Sequence, residues 1–114
     1  MDKLYKLDYL KEISDGDNDF ILDMLNDFIH NTPETLIEID TYVSSLNWNE
    51  LHKTVHKFVS TFDFIGATTV IEQLRKIESF AKNNTNVDQI PVLVSNIKDY
   101  SDKIIKEIKT DFNL

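Results

Sequence analysis

The stretch Val55-His56-Lys57-Phe58-Val59-Ser60-Thr61-Phe62-Asp63-Phe64-Ile65-Gly66-Ala67 decides how this chain folds. It reads as the second half of a helix that starts near Trp48. At about 100° per residue, with His56 at zero, Leu51, Val55, Phe58, Phe62 and Ile65 fall on an arc about 80° wide, opposite the imidazole. That arc is the core face. His56 then points into water, with Asn49, His52, Lys53, Val59, Ser60 and Asp63 around it. Gly66 can take the left-handed conformation that closes a helix. Most exposed polar residues have no role. A rigid helix that holds one imidazole clear of its own core stripe is, however, a suitable mount for a reversible nucleophile.

The periodicity continues on both sides. Leu7 to Ile13 predicts a short helix with Leu7, Leu10 and Ile13 inward. Ser14-Asp15-Gly16-Asp17 breaks it, and Asp17 or Asn18 can cap the next helix. From Asn18 to about Leu46, Phe20, Ile21, Met24, Leu25 and Phe28 form a stripe that Leu36, Ile39, Val43 and Leu46 continue. Pro33 lies in the middle of that segment. It removes an N–H and crowds the preceding turn, so it predicts either a kink or a break capped by Thr32. Asn47 with Glu50 three residues on is a variant of the capping box that opens the His56 helix. Thr68 to Lys82 predicts another helix, with Val70, Ile71, Leu74, Ile77 and Phe80 inward. After the polar Asn83-Asn84-Thr85-Asn86, Thr85 with Asp88 is expected to cap a last helix. That helix runs to about Thr110, with Ile90, Leu93, Val94, Ile97, Tyr100, Ile104 and Ile108 inward. No alternating β pattern occurs.

Length and charge narrow the functional classes. At 114 residues the chain holds one core and not two, so residues 1–114 form a single domain. A net charge of −8 disfavours nucleic acid and anionic membrane surfaces, both of which call for a basic face. The chain has no cysteine and hence no disulfide framework or thiolate metal site. No apolar run reaches the length of a membrane span, and the opening residues lack the apolar core of a signal peptide. A cytoplasmic protein is expected. With two glycines in all, no phosphate-cradling glycine loop is possible, so the chain is not expected to bind ATP or phosphorylate itself.

His56, the apolar Phe58 two residues on, Ile65 nine on, and then Gly66-Ala67 resemble the signature of histidine-containing phosphotransfer (HPt) domains. That signature runs His-x-Leu-Lys-Gly-Ser-Ser-x-x-Leu-Gly-Ala. Upstream, Leu10, Asp15-Gly16-Asp17, Phe20, Phe28, Thr32-Pro33-Glu34, Leu46 and Leu51 follow the family's order and spacing, so the resemblance covers about residues 7 to 82. It implies an all-α fold, an antiparallel four-helix bundle with a short additional N-terminal helix and the long second helix kinked but unbroken. It further implies a phosphoryl carrier of two-component signal transduction with no kinase activity of its own. His56 would accept a phosphoryl group from a receiver-domain aspartate and pass it to another receiver. The implied partners are response-regulator receiver domains and a hybrid sensor histidine kinase, and the implied state is a monomer. The protein would need no cofactor of its own, because the receiver brings Mg²⁺.

The chain departs from the signature beside the histidine. Val59 stands where the family has a lysine that lies near the phosphoryl group. Ser60 stands where it has a glycine that leaves room for the receiver. Lys53, one turn before His56 on the same face, could supply the missing charge. Ser60 or Asp63 could hold the Nδ1–H of the ring. His52, Lys57, Val59 and Phe64 are expected on the partner-binding rim, although Val59, at the edge of the core stripe, reads equally well as partly buried. The missing lysine and glycine also motivate a second reading, a non-catalytic HPt-like binding module that docks receiver or kinase domains as scaffold or inhibitor. A helical adaptor unrelated to phosphorelay is a third. A zinc site on His52 and His56 lacks a third ligand and the HExxH pattern, so no metal is expected. A hydrolase triad through Ser60 lacks a nucleophile elbow.

Overall fold

Apolar residues spaced three and four apart give helices whose stripes must cover one another, and the computed structural model has that form. It describes residues 4–114; the reading of the chain's opening as no signal peptide falls partly on residues 1–3, outside them. The described residues are all-α, with no strand: α1 (Asp8–Ser14), α2 (Asn18–Ser44), α3 (Trp48–Phe64), α4 (Thr68–Asn83) and α5 (Ile90–Phe112), with one 3₁₀ turn (Val87–Gln89) before α5. α3 packs most extensively on α4, α4 on α5, and α2 on both α3 and α5, while α1 leans on α2. The 27 residues of α2, at about 1.5 Å rise each, account for the long dimension of 43 Å.

The predicted stripes meet in one core. Leu51, Val55, Phe58 and Phe62 of α3 are buried with Leu25, Phe28, Leu36 and Ile39 of α2. Leu74 and Ile77 of α4 and Ile97, Ile104 and Ile108 of α5 complete it. Phe62 is fully buried and makes T-shaped contacts with Phe28 and Phe58 at centroid distances of 5.4 and 4.9 Å. No helix among the described residues is long and apolar enough to cross a membrane.

Helix ends follow local chemistry. Asp17 caps α2, its carboxylate accepting from the N–H groups of Asp19 and Phe20. Asn47 caps α3 by accepting from Glu50 N–H at 3.2 Å. α2 runs through Pro33 without a break. α3 ends in a Schellman closure: Gly66 N–H bonds Asp63 C=O, Ala67 N–H bonds Phe62 C=O, and Gly66 takes φ +60°.

Three expectations are corrected. Leu46 does not extend the α2 stripe. It takes the left-handed position of an equivalent closure, with Asn47 N–H on Tyr42 C=O, which turns its side chain outward at 69% exposed. Phe20 and Ile13, read as inward, are also exposed, because each lies in a terminal turn with little packed over it. Thr85 and Asp88 form no cap. Asn84 and Asn86 take left-handed conformations instead, and α5 starts without a side-chain cap, with Pro91 in its first turn.

A feature absent from the sequence reading ties the N-terminal segment across the end of α3. Lys6 N–H donates to Ile65 C=O at 2.7 Å, and the Lys6 backbone lies directly over Gly66. Tyr5 is buried, and its hydroxyl donates to the Asp111 carboxylate on α5. Burial, then the Asp111 hydrogen bond and charge, push the Tyr5 phenol well above its ordinary range.

Candidate functional site

His56 lies midway along α3, and its side chain is 71% exposed. The core stripe behind it is anchored by Val55 and Phe58, so the Cα–Cβ bond of His56 must project outward. Its Nδ1 lies 2.9 Å from Oε1 of Glu78 on α4, whose side chain is only 22% exposed. A carboxylate oxygen can only accept, so Nδ1 carries a proton, and in the neutral ring Nε2 keeps its lone pair. The bond fixes both the tautomer and the plane of the ring, and it turns Nε2 to solvent. This corrects the expectation that Ser60 or Asp63 holds the ring: the partner comes from the neighbouring helix.

Contact between positions 56 and 78, ten residues before and eleven after the turn at Gly66–Ala67, makes α3 and α4 a helical hairpin around His56. The turn sets the register of that hairpin, and therefore which α4 residue meets the histidine. Glu78 follows Ile77, which points fully into the core, so its own position flanks the α3 interface.

The other predicted residues divide by side. Lys53 is exposed and lies 3.6 Å from Glu50, one turn back along its own helix. Lys57 faces α2, in a groove that it shares with Glu38, Tyr42 and Glu50. Ser60, Asp63 and Phe64 come together with Tyr9 of α1 in an open depression one to two turns beyond His56. The rings of Phe64 and Tyr9 meet at 5.7 Å. His52 is half-buried on the turn before His56. Val59 is corrected. At 5% exposed it belongs to the core and offers no rim, because the flank of α3 opposite Lys57 is the one that α4 covers. Among the described residues no three His, Cys, Asp or Glu side chains are grouped so as to hold a metal ion.

Glu78 and Tyr9 were missed by the sequence reading. Tyr9 carried a weak signal, as an aromatic residue on the polar side of a short helix. Glu78 carried none, since a glutamate in a charged helix is ordinary until the register of the hairpin is known.

The site therefore consists of one solvent-facing imidazole nitrogen, a carboxylate that holds the opposite nitrogen, and a shallow apolar-and-polar depression alongside. Nε2 faces solvent, and so is open to a group presented by a larger molecule or arriving from free solution. Comparison of the chain with models of known protein families, with characterised proteins and with solved structures finds no match.

Proposed function

We propose that the chain is a histidine phosphotransfer protein of a two-component phosphorelay, built as an antiparallel four-helix bundle with α1 laid across one end. The observation that carries this reading is the hydrogen bond from His56 Nδ1 to Glu78. A phosphoryl carrier needs a nucleophile that stays put, keeps one lone pair free and tolerates the positive charge formed on transfer. Attack by the Nε2 lone pair on an aspartyl phosphate forms an N–P bond and breaks the P–O bond. The electron pair leaves with the donor carboxylate. The ring gains a positive charge shared with Nδ1–H, and Glu78 faces that charge, as the aspartate faces the imidazolium in a hydrolase triad. Return of the phosphoryl group to a second receiver reverses the steps. Mg²⁺ and most of the charge neutralisation would come with the receiver. The Tyr9–Phe64 pair with Ser60 and Asp63 would meet the receiver beside His56.

The second reading, a docking module without phosphotransfer, is favoured by one observation: with Val59 buried, no lysine occupies the signature position next to the histidine. Incubation with a panel of phosphorylated receiver domains separates the two. Transfer of an acid-labile phosphoryl group to the wild type, and none to His56→Gln, supports the carrier. Receiver binding with no gain in mass supports the docking module.

A further inference from the structure

The phosphoacceptor reading leaves a gap that the fold itself can fill. A phosphoryl group on Nε2 adds two negative charges beside the carboxylate of Glu78, and the signature lysine position is buried. Five cations on α3 and α4 lie within about one turn of the His56–Glu78 pair: Lys53, Lys57, Arg75, Lys76 and Lys82. Lys57 faces α2, and Lys76, two residues before Glu78, lies on the opposite side of α4 from it. The directions of the other three differ. Every side chain on a helix leans toward that helix's N-terminus. Lys53 precedes His56 on α3, so it leans away from the ring, and it does so toward Glu50, with which it pairs. Arg75 precedes Glu78 on α4 and likewise leans away from the pair. Lys82 follows Glu78 by four residues, on the same face of α4, and leans back toward it. In the hairpin, α4 residues beyond Glu78 lie level with the turn of α3 before His56, the direction in which the imidazole itself leans. Lys82 and the ring therefore converge from the two helices.

Lys82 is also uncommitted. It is exposed and makes no ion pair among the described residues, and the carboxylate four residues before it is turned to His56 instead. Its place in the last turn of α4 favours a cation there.

We propose that Lys82 is the phosphoryl-binding cation of this protein, reaching from the neighbouring helix to the group carried on His56 Nε2 in place of the lysine that Val59 displaces. This rests on the phosphoacceptor reading. Lys82 would attract the incoming dianion and hold it once the N–P bond has formed, while Glu78 holds the opposite side of the ring. The two charges thus act on opposite nitrogens of one imidazole.

The test uses phosphoramidate, a small donor that brings no partner surface, so any cation at work belongs to this chain. In the reaction Nε2 takes the phosphoryl group, the N–P bond of the donor breaks and ammonia leaves with the electron pair. Initial rates of His56 labelling are read by intact mass. Lys82→Ala is expected to be about fivefold slower than wild type, near 1 kcal/mol for a charge-assisted contact at the surface. Lys82→Arg should restore the rate, Lys53→Ala should leave it within about twofold, and high salt should erase the difference between wild type and Lys82→Ala. Equal rates for wild type and Lys82→Ala at low salt overturn the proposal while leaving the phosphoacceptor reading intact. So does a loss confined to Lys53→Ala. Failure to label wild-type His56 at all would instead remove the phosphoacceptor reading, and this proposal with it.

Discussion

Replacing Gly66 with alanine should cost far more than replacing Gly16, although both glycines have positive φ. Gly66 lies at φ +60° and Gly16 at φ +83°. A left-handed conformation alone costs an L-residue about 1 kcal/mol relative to glycine. At Gly16 a new Cβ would meet nothing within 4 Å, so that cost is the whole effect. At Gly66 it would stand 3.0 Å from both Cβ and the carbonyl oxygen of Lys6, and 3.3 Å from its nitrogen. Two of those three atoms are backbone and cannot swing aside. The segment must lift, and with it go the Lys6 N–H to Ile65 hydrogen bond at 2.7 Å and the seat of Tyr5 against Asp111. One lost hydrogen bond is worth about 1 kcal/mol, and partial exposure of buried Tyr5 adds about as much again. The expected total is about 3 kcal/mol for Gly66→Ala against about 1 kcal/mol for Gly16→Ala. For a chain of this length that separates the two midpoints by roughly 8 °C. Urea unfolding at constant m, with thermal midpoints alongside, measures both. Equal destabilisation by the two substitutions would refute the close approach of the N-terminal segment to the end of α3.

Other outcomes follow from the same geometry. Glu78→Ala should slow phosphorylation of His56 about five- to tenfold by removing the charge that faces the ring, with Glu78→Gln intermediate, read with a small phosphodonor at low salt. Val59→Lys, which places the lysine of the HPt signature at a buried position, should destabilise the fold by about 2–4 kcal/mol in denaturant titrations, because a charged side chain replaces a buried apolar one. Tyr5 keeps its proton in the folded state well above the ordinary value of 10.0, whereas the unfolded chain loses it there. Above about pH 10 the folded form therefore binds more protons, and stability falls as pH rises. Tyr5→Phe should be less stable than wild type near neutrality and lose less stability between pH 9 and about 11.

The helices were legible because their apolar residues repeat at the helical period and their ends carry recognisable chemistry. Leu51, Val55, Phe58 and Phe62 are buried as their spacing requires, and Asp17 and Asn47 cap where their side chains can accept. Leu46 was misread because periodicity cannot tell the last turn of a helix from the left-handed residue that closes it. Val59 lay at the edge of the stripe, and only the side on which α4 packs decides that it is buried. The exposed imidazole of His56 was legible from α3 alone. Glu78 was not, since its meeting with His56 depends on the register of two helices set by the turn at Gly66. The same holds for the N-terminal segment, where Tyr5 reaches a residue at the far end of the sequence. Within-helix geometry could be read from the chain; contacts between helices could not.

In the proposed function His56 accepts a phosphoryl group through Nε2 while Glu78 holds Nδ1. Heteronuclear NMR of the phosphorylated protein, with ¹⁵N-labelled histidine and ³¹P detection, identifies the phosphorylated nitrogen directly. A single phosphohistidine is expected, on His56, bonded at Nε2 and with the proton retained on Nδ1. Phosphorylation at Nδ1, on His52 or His30, or on no histidine after exposure to phosphorylated receivers would contradict it.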